Sequence, residues 1–117
     1  MLLLDDEPEI VYVAGEYLSA LGWQTTRCSS MAEAYRAVAD LPAFDAAVLD
    51  WVVGGSSVRG LLAKLRTRHP GCQVLLATGL GREIVDEDEL GLPVIRKPYT
   101  MRDLAALLDE QVRNRPR

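Results

Sequence analysis

The sequence has one histidine, His69, and only two cysteines, Cys28 and Cys72. A single histidine excludes a zinc site built from several histidines and argues against a Ser-His-Asp triad. Pro70 and Gly71 end a predicted helix directly after His69, so we interpret His69 as a cation near a helix C-terminus. The cysteines form no CxxC motif and lack metal-ligand spacing. We therefore expect both to be reduced, small apolar residues of a cytoplasmic protein.

Long apolar runs and an excess of basic charge are also missing. No apolar stretch approaches the roughly 20 residues that span a bilayer, and the N-terminus lacks the features of a signal peptide. With 13 basic and 17 acidic side chains, the net charge is −4. We therefore expect no membrane association and no direct binding of nucleic acid by this domain. The basic cluster "RNRPR", residues 113–117, is interpreted as a frayed tail or the start of a linker.

Short apolar segments alternate regularly with amphipathic ones along the chain, which we predict to form one domain over residues 1–117. The predicted strands are residues 1–4, 23–27, 46–50, 72–78 and 93–97. Pro8 favours the first turn of a helix, Ser30 with Glu33 forms a capping box, and Thr100 is a predicted N-cap. Residues at helical spacing are expected to face the core in the first helix: Ile10, Val13, Ala14, Tyr17, Leu18 and Leu21.

This alternation predicts an α/β fold, a flavodoxin-like doubly wound (βα)5 three-layer sandwich. The first, third and fourth strands are continuously apolar, as expected for parallel strands covered on both faces. The polar second strand and the short fifth strand suit the edges, which gives the parallel order 2-1-3-4-5. Between the last two strands, residues 79–92 contain the acidic run 86–89, and we expect a short or irregular helix there.

Polar residues follow or close four of the predicted strands. Asp5 and Asp6 come directly after the first strand, Asp50 closes the third, Thr78 the fourth and Lys97 the fifth. Because parallel strands point the same way, these side chains should converge on one edge of the sheet. Each motif alone has a plainer explanation, such as a helix cap or a turn, but their joint position favours a site.

The chemistry of this set is consistent with phosphoryl transfer. Three neighbouring carboxylates require a cation, and their hard oxygens suit Mg²⁺ or Mn²⁺. A lysine and a threonine hydroxyl add the groups that a transferring phosphoryl needs on its oxygens. Asp50 is the best candidate for a nucleophile that forms an acyl phosphate, since it closes the central strand nearest the switch point.

The segments "LLLDDEPEI", "AAVLDW", "LLATG" and "VIRKPY" resemble the signature segments of response-regulator receiver domains. The resemblance implies that Asp50 is the phosphoacceptor and that Mg²⁺ is held by Asp5, Asp6, Asp50 and the backbone carbonyl of Val52. It implies that Thr78 and Lys97 bind phosphoryl oxygens, with a cis bond between Lys97 and Pro98. The phosphoryl donor would be a phosphohistidine on a sensor histidine kinase or a histidine phosphotransfer protein, and phosphorylation could drive homodimerisation.

Several positions depart from the family pattern. Gly54 stands where receivers usually have a proline four residues after the phosphoacceptor, so we expect a more flexible loop. Val94 stands where they usually have a switch aromatic, which puts the usual activation switch and output surface in doubt. These departures fit an atypical subfamily with an irregular fourth helix. We interpret Tyr99 as a packing residue and expect Trp51 to be partly buried.

Two apolar positions predict slow loss of the phosphoryl group. In the family, the residues two beyond the phosphoacceptor and two beyond the threonine influence how water reaches the phosphoryl group. They are Val52 and Leu80 here, and neither can orient an attacking water.

Two other functions compete with the receiver interpretation. A phosphohydrolase of the haloacid dehalogenase type also uses an aspartate nucleophile, but it would need an acid where Val52 stands. A receiver-like module that binds proteins without phosphorylation is favoured by Val94 and disfavoured by the five retained site residues.

Overall fold

The computed structural model describes residues 1–42, 44–79 and 91–113. The strands are β1 (Leu2–Leu4), β2 (Thr26–Cys28), β3 (Ala46–Asp50), β4 (Val52–Val53), β5 (Ser56–Ser57), β6 (Gln73–Thr78) and β7 (Val94–Arg96). Five of them form the parallel central sheet in the order β2-β1-β3-β6-β7, which confirms the predicted order. A separate antiparallel pair, β4 and β5, lies between β3 and the next helix.

Helices cover both faces of this sheet, which gives the predicted three layers. Within the described residues they are α1 (Pro8–Ala20), α2 (Met31–Asp40), α3 (Arg59–Arg68) and α4 (Met101–Arg113). Successive residues of a strand point to opposite faces, so Leu2 and Leu4 pack toward α2 and α3, whereas Leu3 packs toward α1 and α4. The continuously apolar strands are therefore explained by burial on two sides.

The predicted starts of three helices are confirmed, two of them by side-chain hydrogen bonds. Pro8 is the first residue of α1. The Glu33 N–H donates to the Ser30 hydroxyl at 3.2 Å, while the Glu33 carboxylate accepts the backbone N–H of Ser29 rather than that of Ser30. The Asp103 N–H donates to the Thr100 hydroxyl at 3.0 Å. Local sequence thus fixes where these helices begin.

The predicted inner face of α1 is only partly right. Ala14 and Leu18 are buried, but Val13 is 52% exposed and Tyr17 and Leu21 are also exposed. Val11 takes a core position instead. The helix therefore buries a narrower stripe than its apolar spacing indicates, and it leaves apolar side chains at the surface.

The glycine-rich loop after β3 forms a β-hairpin, residues 52–57, which the sequence reasoning did not predict. Its two-residue turn consists of Gly54 (φ 60°) and Gly55 (φ 83°), both in the left-handed region. Two glycines with positive φ are typical of the tight turn that matches the twist of paired strands. The apolar–apolar–Gly-Gly–Ser pattern was the signal for this hairpin.

His69 caps the C-terminus of α3, as its place before Pro70 predicts, but its interpretation as a cation is wrong. Its ring is buried, Nδ1 accepts the backbone N–H of Phe44 at 3.2 Å, and Nε2 lies 3.0 Å from the carbonyl oxygen of Val38. Because Nδ1 accepts a hydrogen bond, Nε2 carries the proton and donates, and the ring is neutral. His69 therefore joins α3 to α2 and to the start of β3.

Both cysteines are unpaired, as expected, and their thiols are poorly reactive. Burial, reinforced by the charge of Glu33, raises the pKa of Cys28 to about 11. Burial also raises the pKa of Cys72 to about 12. At neutral pH both remain thiols.

Three predictions fall on residues outside the described ranges: Leu80, most of the segment predicted as an irregular helix (residues 80–90), and the tail after Arg113 (residues 114–117). Among the helices of the described ranges, none has the length and apolar character that would let it cross a membrane.

Replacing His69 tests its bridging role. The substitution His69→Leu replaces the ring by an apolar side chain of similar volume but leaves the buried Phe44 N–H without its acceptor. The free energy of unfolding should therefore fall by about 1–3 kcal/mol. Arg68→Leu is the matched control, because Arg68 is exposed and also donates to Val38. Urea denaturation measures both. Equal losses in the two variants would contradict the bridging role.

Candidate functional site

The carboxyl ends of four neighbouring strands bring the predicted site residues together. In the register of the sheet, Leu4 pairs with Leu49, Asp50 with Ala77, and Thr78 with Arg96. The residues that close or follow these strands therefore share one edge: Asp5, Asp6, Asp50, Thr78 and Lys97. Their predicted convergence is confirmed.

Lys97 lies between two buried carboxylates. Its Nζ donates to Asp5 Oδ2 at 2.8 Å and to Asp50 Oδ2 at 3.2 Å. Asp5 and Asp50 are both buried, and Lys97 is only partly exposed. One ammonium thus compensates two carboxylates across three strands of the sheet, and one negative charge remains.

The pKa shifts follow from this imbalance. Burial, together with the charge of Asp5, raises the pKa of the Asp50 carboxyl, and the opposing effect of Lys97 is smaller. Burial alone would lower the pKa of Lys97, but the hydrogen bond and charge of Asp5 and the charge of Asp50 outweigh burial and raise it. Lys97 is therefore fully charged at neutral pH, and an ionised Asp50 carries unfavourable energy that a further cation would relieve.

Backbone N–H groups hold the two adjacent aspartates. The Glu7 N–H donates to Asp5 Oδ1 at 2.9 Å, so both oxygens of Asp5 accept a hydrogen bond. Asp6 is exposed, and its Oδ2 accepts the N–H of Gly54 at the tip of the hairpin, at 3.2 Å. The sequence reasoning did not find these two amide donors, because neither is visible as a side-chain type.

Three carboxylates of the described chain fit a divalent cation. One oxygen each from Asp5, Asp6 and Asp50 lies within 4.8 Å of the other two. Hard carboxylate oxygens at this spacing match the donor set that Mg²⁺ and Mn²⁺ prefer, and the charge left by Lys97 favours a cation.

A cavity of about 160 Å³ opens beside these carboxylates. Its lining joins the acidic groups to the hairpin and to the end of β6, and it comprises Asp6, Glu7, Asp50, Trp51, Val52, Gly55, Thr78, Gly79 and Lys97. Among the lining residues, Val52 has a half-buried apolar side chain two residues after Asp50, and Thr78 is buried. The space suits a small polar group bound at Asp50.

Four further sequence predictions concern positions near the site. Trp51 is 3% exposed rather than partly buried, and the Arg59 guanidinium lies 5.1 Å from its ring centroid. The Lys97–Pro98 bond is cis, as expected. Tyr99 packs half-buried against the core, and burial, with the charge of Asp5, raises its pKa. Val94 is half-buried against the core and provides no aromatic ring.

Comparison with known proteins rests on structure, because no family model and no curated protein matches the sequence. A response-regulator receiver protein from Sinorhizobium medicae WSM419 superposes with a TM-score of 0.84 at 21% identity, covering 98% of this chain and 94% of that one. A receiver domain protein from Methanospirillum hungatei JF-1 gives 0.83 at 21% identity, covering 96% and 91%. The receiver domain of NtrX from Brucella abortus gives 0.78 at 24% identity, covering 97% and 98%.

These similarities span nearly the whole chain and nearly the whole of each related structure. They agree with the parallel order of the sheet. The chain therefore has the flavodoxin-like fold of response-regulator receiver domains.

Proposed function

We propose that the chain is a receiver domain of a two-component phosphorelay, in which Asp50 accepts a phosphoryl group. The observation that carries this proposal is the placement of Asp50 beside a small polar cavity, bonded to Lys97 and close to two further aspartates. The fold shared with receiver domains supports it. In this proposal the chain is mainly a signalling domain that catalyses its own Mg²⁺-dependent phosphorylation and dephosphorylation at Asp50.

The mechanism uses the two oxygens of Asp50 differently. In the proposed transfer, one carboxylate oxygen of Asp50 attacks the phosphorus of a phosphohistidine, and the other would face the cation. Lys97, which donates to Oδ2 in the unphosphorylated chain, releases that oxygen. A P–O bond forms as the N–P bond breaks, and the imidazole leaves with the electron pair. The Lys97 ammonium and the Thr78 hydroxyl then bind phosphoryl oxygens and stabilise their charge.

Asp5, Asp6 and Asp50, with the backbone carbonyl of Val52, would hold Mg²⁺ or Mn²⁺ in this proposal. The cation supplies positive charge that offsets the repulsion between the carboxylates and the incoming phosphoryl oxygens. Asp5 contributes with both oxygens already hydrogen-bonded, whereas Asp6 and Asp50 each present an oxygen for the cation.

The partner would be a sensor histidine kinase or a histidine phosphotransfer protein, and an apolar groove beside the site supports its docking. The groove has a volume of about 540 Å³ and shares Glu7 and Lys97 with the site cavity. Its other lining residues are Glu9, Ile10, Val13, Pro98, Tyr99 and Met101. Of the exposed apolar side chains of α1, Val13 lies in this groove. A donor seated here would bring its histidine to Asp50. Output would be a protein contact, with homodimerisation on phosphorylation as one form.

The competing functions differ at specific residues. Val52 lines the cavity two residues after Asp50, where a haloacid dehalogenase-type hydrolase needs an acid–base carboxyl. A binding module that is never phosphorylated is favoured by Val94, but it gives no role to the paired carboxylates around Lys97.

Asp50→Asn tests the phosphoacceptor. With Mg²⁺ and acetyl phosphate, intact-protein mass spectrometry of the wild-type chain should show one added phosphoryl group, and Asp50→Asn should show none. Asp40→Asn, an exposed aspartate at the end of α2, is the control and should behave as wild type. Rapid multiple turnover of a phosphomonoester would favour the hydrolase, and no adduct in the wild type would favour the binding module.

Metal linkage gives a second prediction. Since burial and Asp5 raise the pKa of Asp50, its ionised form at neutral pH is destabilising, so Asp50→Asn should be more stable than wild type in EDTA. Mg²⁺ should stabilise the wild type, by about 2.7 kcal/mol at 100 times its dissociation constant, and Asp50→Asn less. Urea denaturation with and without Mg²⁺ measures this. The prediction would be contradicted if Asp50→Asn were less stable than the wild type in EDTA and were stabilised by Mg²⁺ as much as the wild type is.

The apolar wall of the cavity gives a third prediction, on the rate of phosphoryl loss. Val52 cannot hydrogen-bond an attacking water, so we expect slow decay of the phosphorylated chain. Val52→Asn should accelerate decay by about fivefold, the effect of one hydrogen bond of about 1 kcal/mol. Val52→Ile is the control and should leave decay unchanged. An unaltered rate in Val52→Asn, or a wild type among the fastest receivers to decay, would refute this.

A further inference from the structure

We propose that the backbone N–H of Gly54 positions the cation ligand Asp6, so that the hairpin belongs to the metal site. The inference rests on the proposed function, because it assumes that Asp6 binds a divalent cation. Gly54 itself does not touch the cation; it acts through the Asp6 carboxylate.

The hydrogen bond from Gly54 occupies only one of the two carboxylate oxygens of Asp6. The Gly54 N–H lies 3.2 Å from Oδ2, which leaves the other oxygen for a cation. Asp6 is the exposed member of the three carboxylates, whereas Asp5 is fixed by Glu7 and Lys97. An exposed aspartate without such a partner would lose rotamer freedom when it binds metal, so the Gly54 bond reduces that entropic cost.

The donor is held rigidly by the hairpin and by the end of β3. The Trp51 N–H donates to the carbonyl of Ala77 at 2.8 Å, and the Val58 N–H donates to the carbonyl of Trp51 at 3.0 Å. These bonds close the base of the hairpin, and the buried indole of Trp51 packs it into the core. The position of Gly54 is therefore set by core packing rather than by a free loop.

Only some residues can act at this position. Proline has no N–H to donate, and its ring cannot adopt the φ of 60° found at Gly54. Glycine here therefore supplies a hydrogen bond that a proline in the same place cannot. The glycine that the sequence analysis interpreted as a source of flexibility takes the opposite role, because it orders an acidic ligand.

Replacing one amide by an ester tests the N–H alone. The chain can be assembled by ligation at Cys28 and Cys72, with glycolic acid in place of Gly54, which removes the N–H and keeps the shape. The probe is Mn²⁺, with binding followed by electron paramagnetic resonance. We expect the dissociation constant to rise by roughly 10- to 100-fold, as for other lost hydrogen bonds to metal-bound carboxylates. The same ester at Gly71, in the turn before β6, should leave Mn²⁺ affinity unchanged.

Two recombinant variants give an independent comparison. Gly54→Asn keeps the N–H and tolerates positive φ, so it should retain Mn²⁺ affinity, whereas Gly54→Pro should weaken it like the ester. Circular dichroism checks that each variant folds. If Gly54→Pro does not fold, the Gly54 ester decides the test by itself. Normal Mn²⁺ affinity in the Gly54 ester overturns the inference alone, as does equal weakening by the Gly71 ester. A wild-type chain that binds no Mn²⁺ overturns the inference together with the proposed metal site.

Discussion

The bridge from Lys97 to Asp5 and Asp50 is the interaction on which the site depends. Two buried carboxylates on neighbouring strands would repel each other, and one ammonium from a third strand holds them together. The compensation is incomplete, because one negative charge remains and the pKa of Asp50 stays raised. The resulting need for a cation links the charge balance of the folded chain to the chemistry proposed for Asp50.

The fold provides this arrangement because apolar side chains lie inside the strands and polar side chains lie at their carboxyl ends. Leucines, valines and alanines fill both faces of the sheet, so the interiors of β1, β3 and β6 carry only apolar side chains. The polar groups lie where the strands end, and there they can reach one another and solvent. The hairpin after β3 extends this edge, because its turn contacts Asp6 and its first residue lines the cavity. The lining of the site is thus mixed, with apolar Val52 beside the acidic groups and Lys97.

Much of this could be predicted from the sequence. Continuously apolar strands indicate burial on two faces, and their order follows from which strands are polar or short. Ser30 and Thr100 mark helix starts through local bonds that need no tertiary context. Asp50, Thr78 and Lys97 could be assigned to one edge because parallel topology gathers strand ends regardless of their separation along the chain.

The predictions that failed concern groups whose partners lie far away in sequence. His69 has the sequence position of a helix-terminal cation. Its ring nitrogens, however, form hydrogen bonds with backbone groups of Phe44 and Val38, and these bonds require the neutral ring. Val13 has apolar character at helical spacing, but packing against the sheet buries Val11 instead. By itself the sequence determined the sheet, the caps and the identity of the acidic edge. Only the tertiary structure decided that the Gly54 N–H donates to Asp6 and that Lys97 pairs with both Asp5 and Asp50. Hydrogen bonds and Coulomb interactions depend on distances that no local sequence pattern encodes.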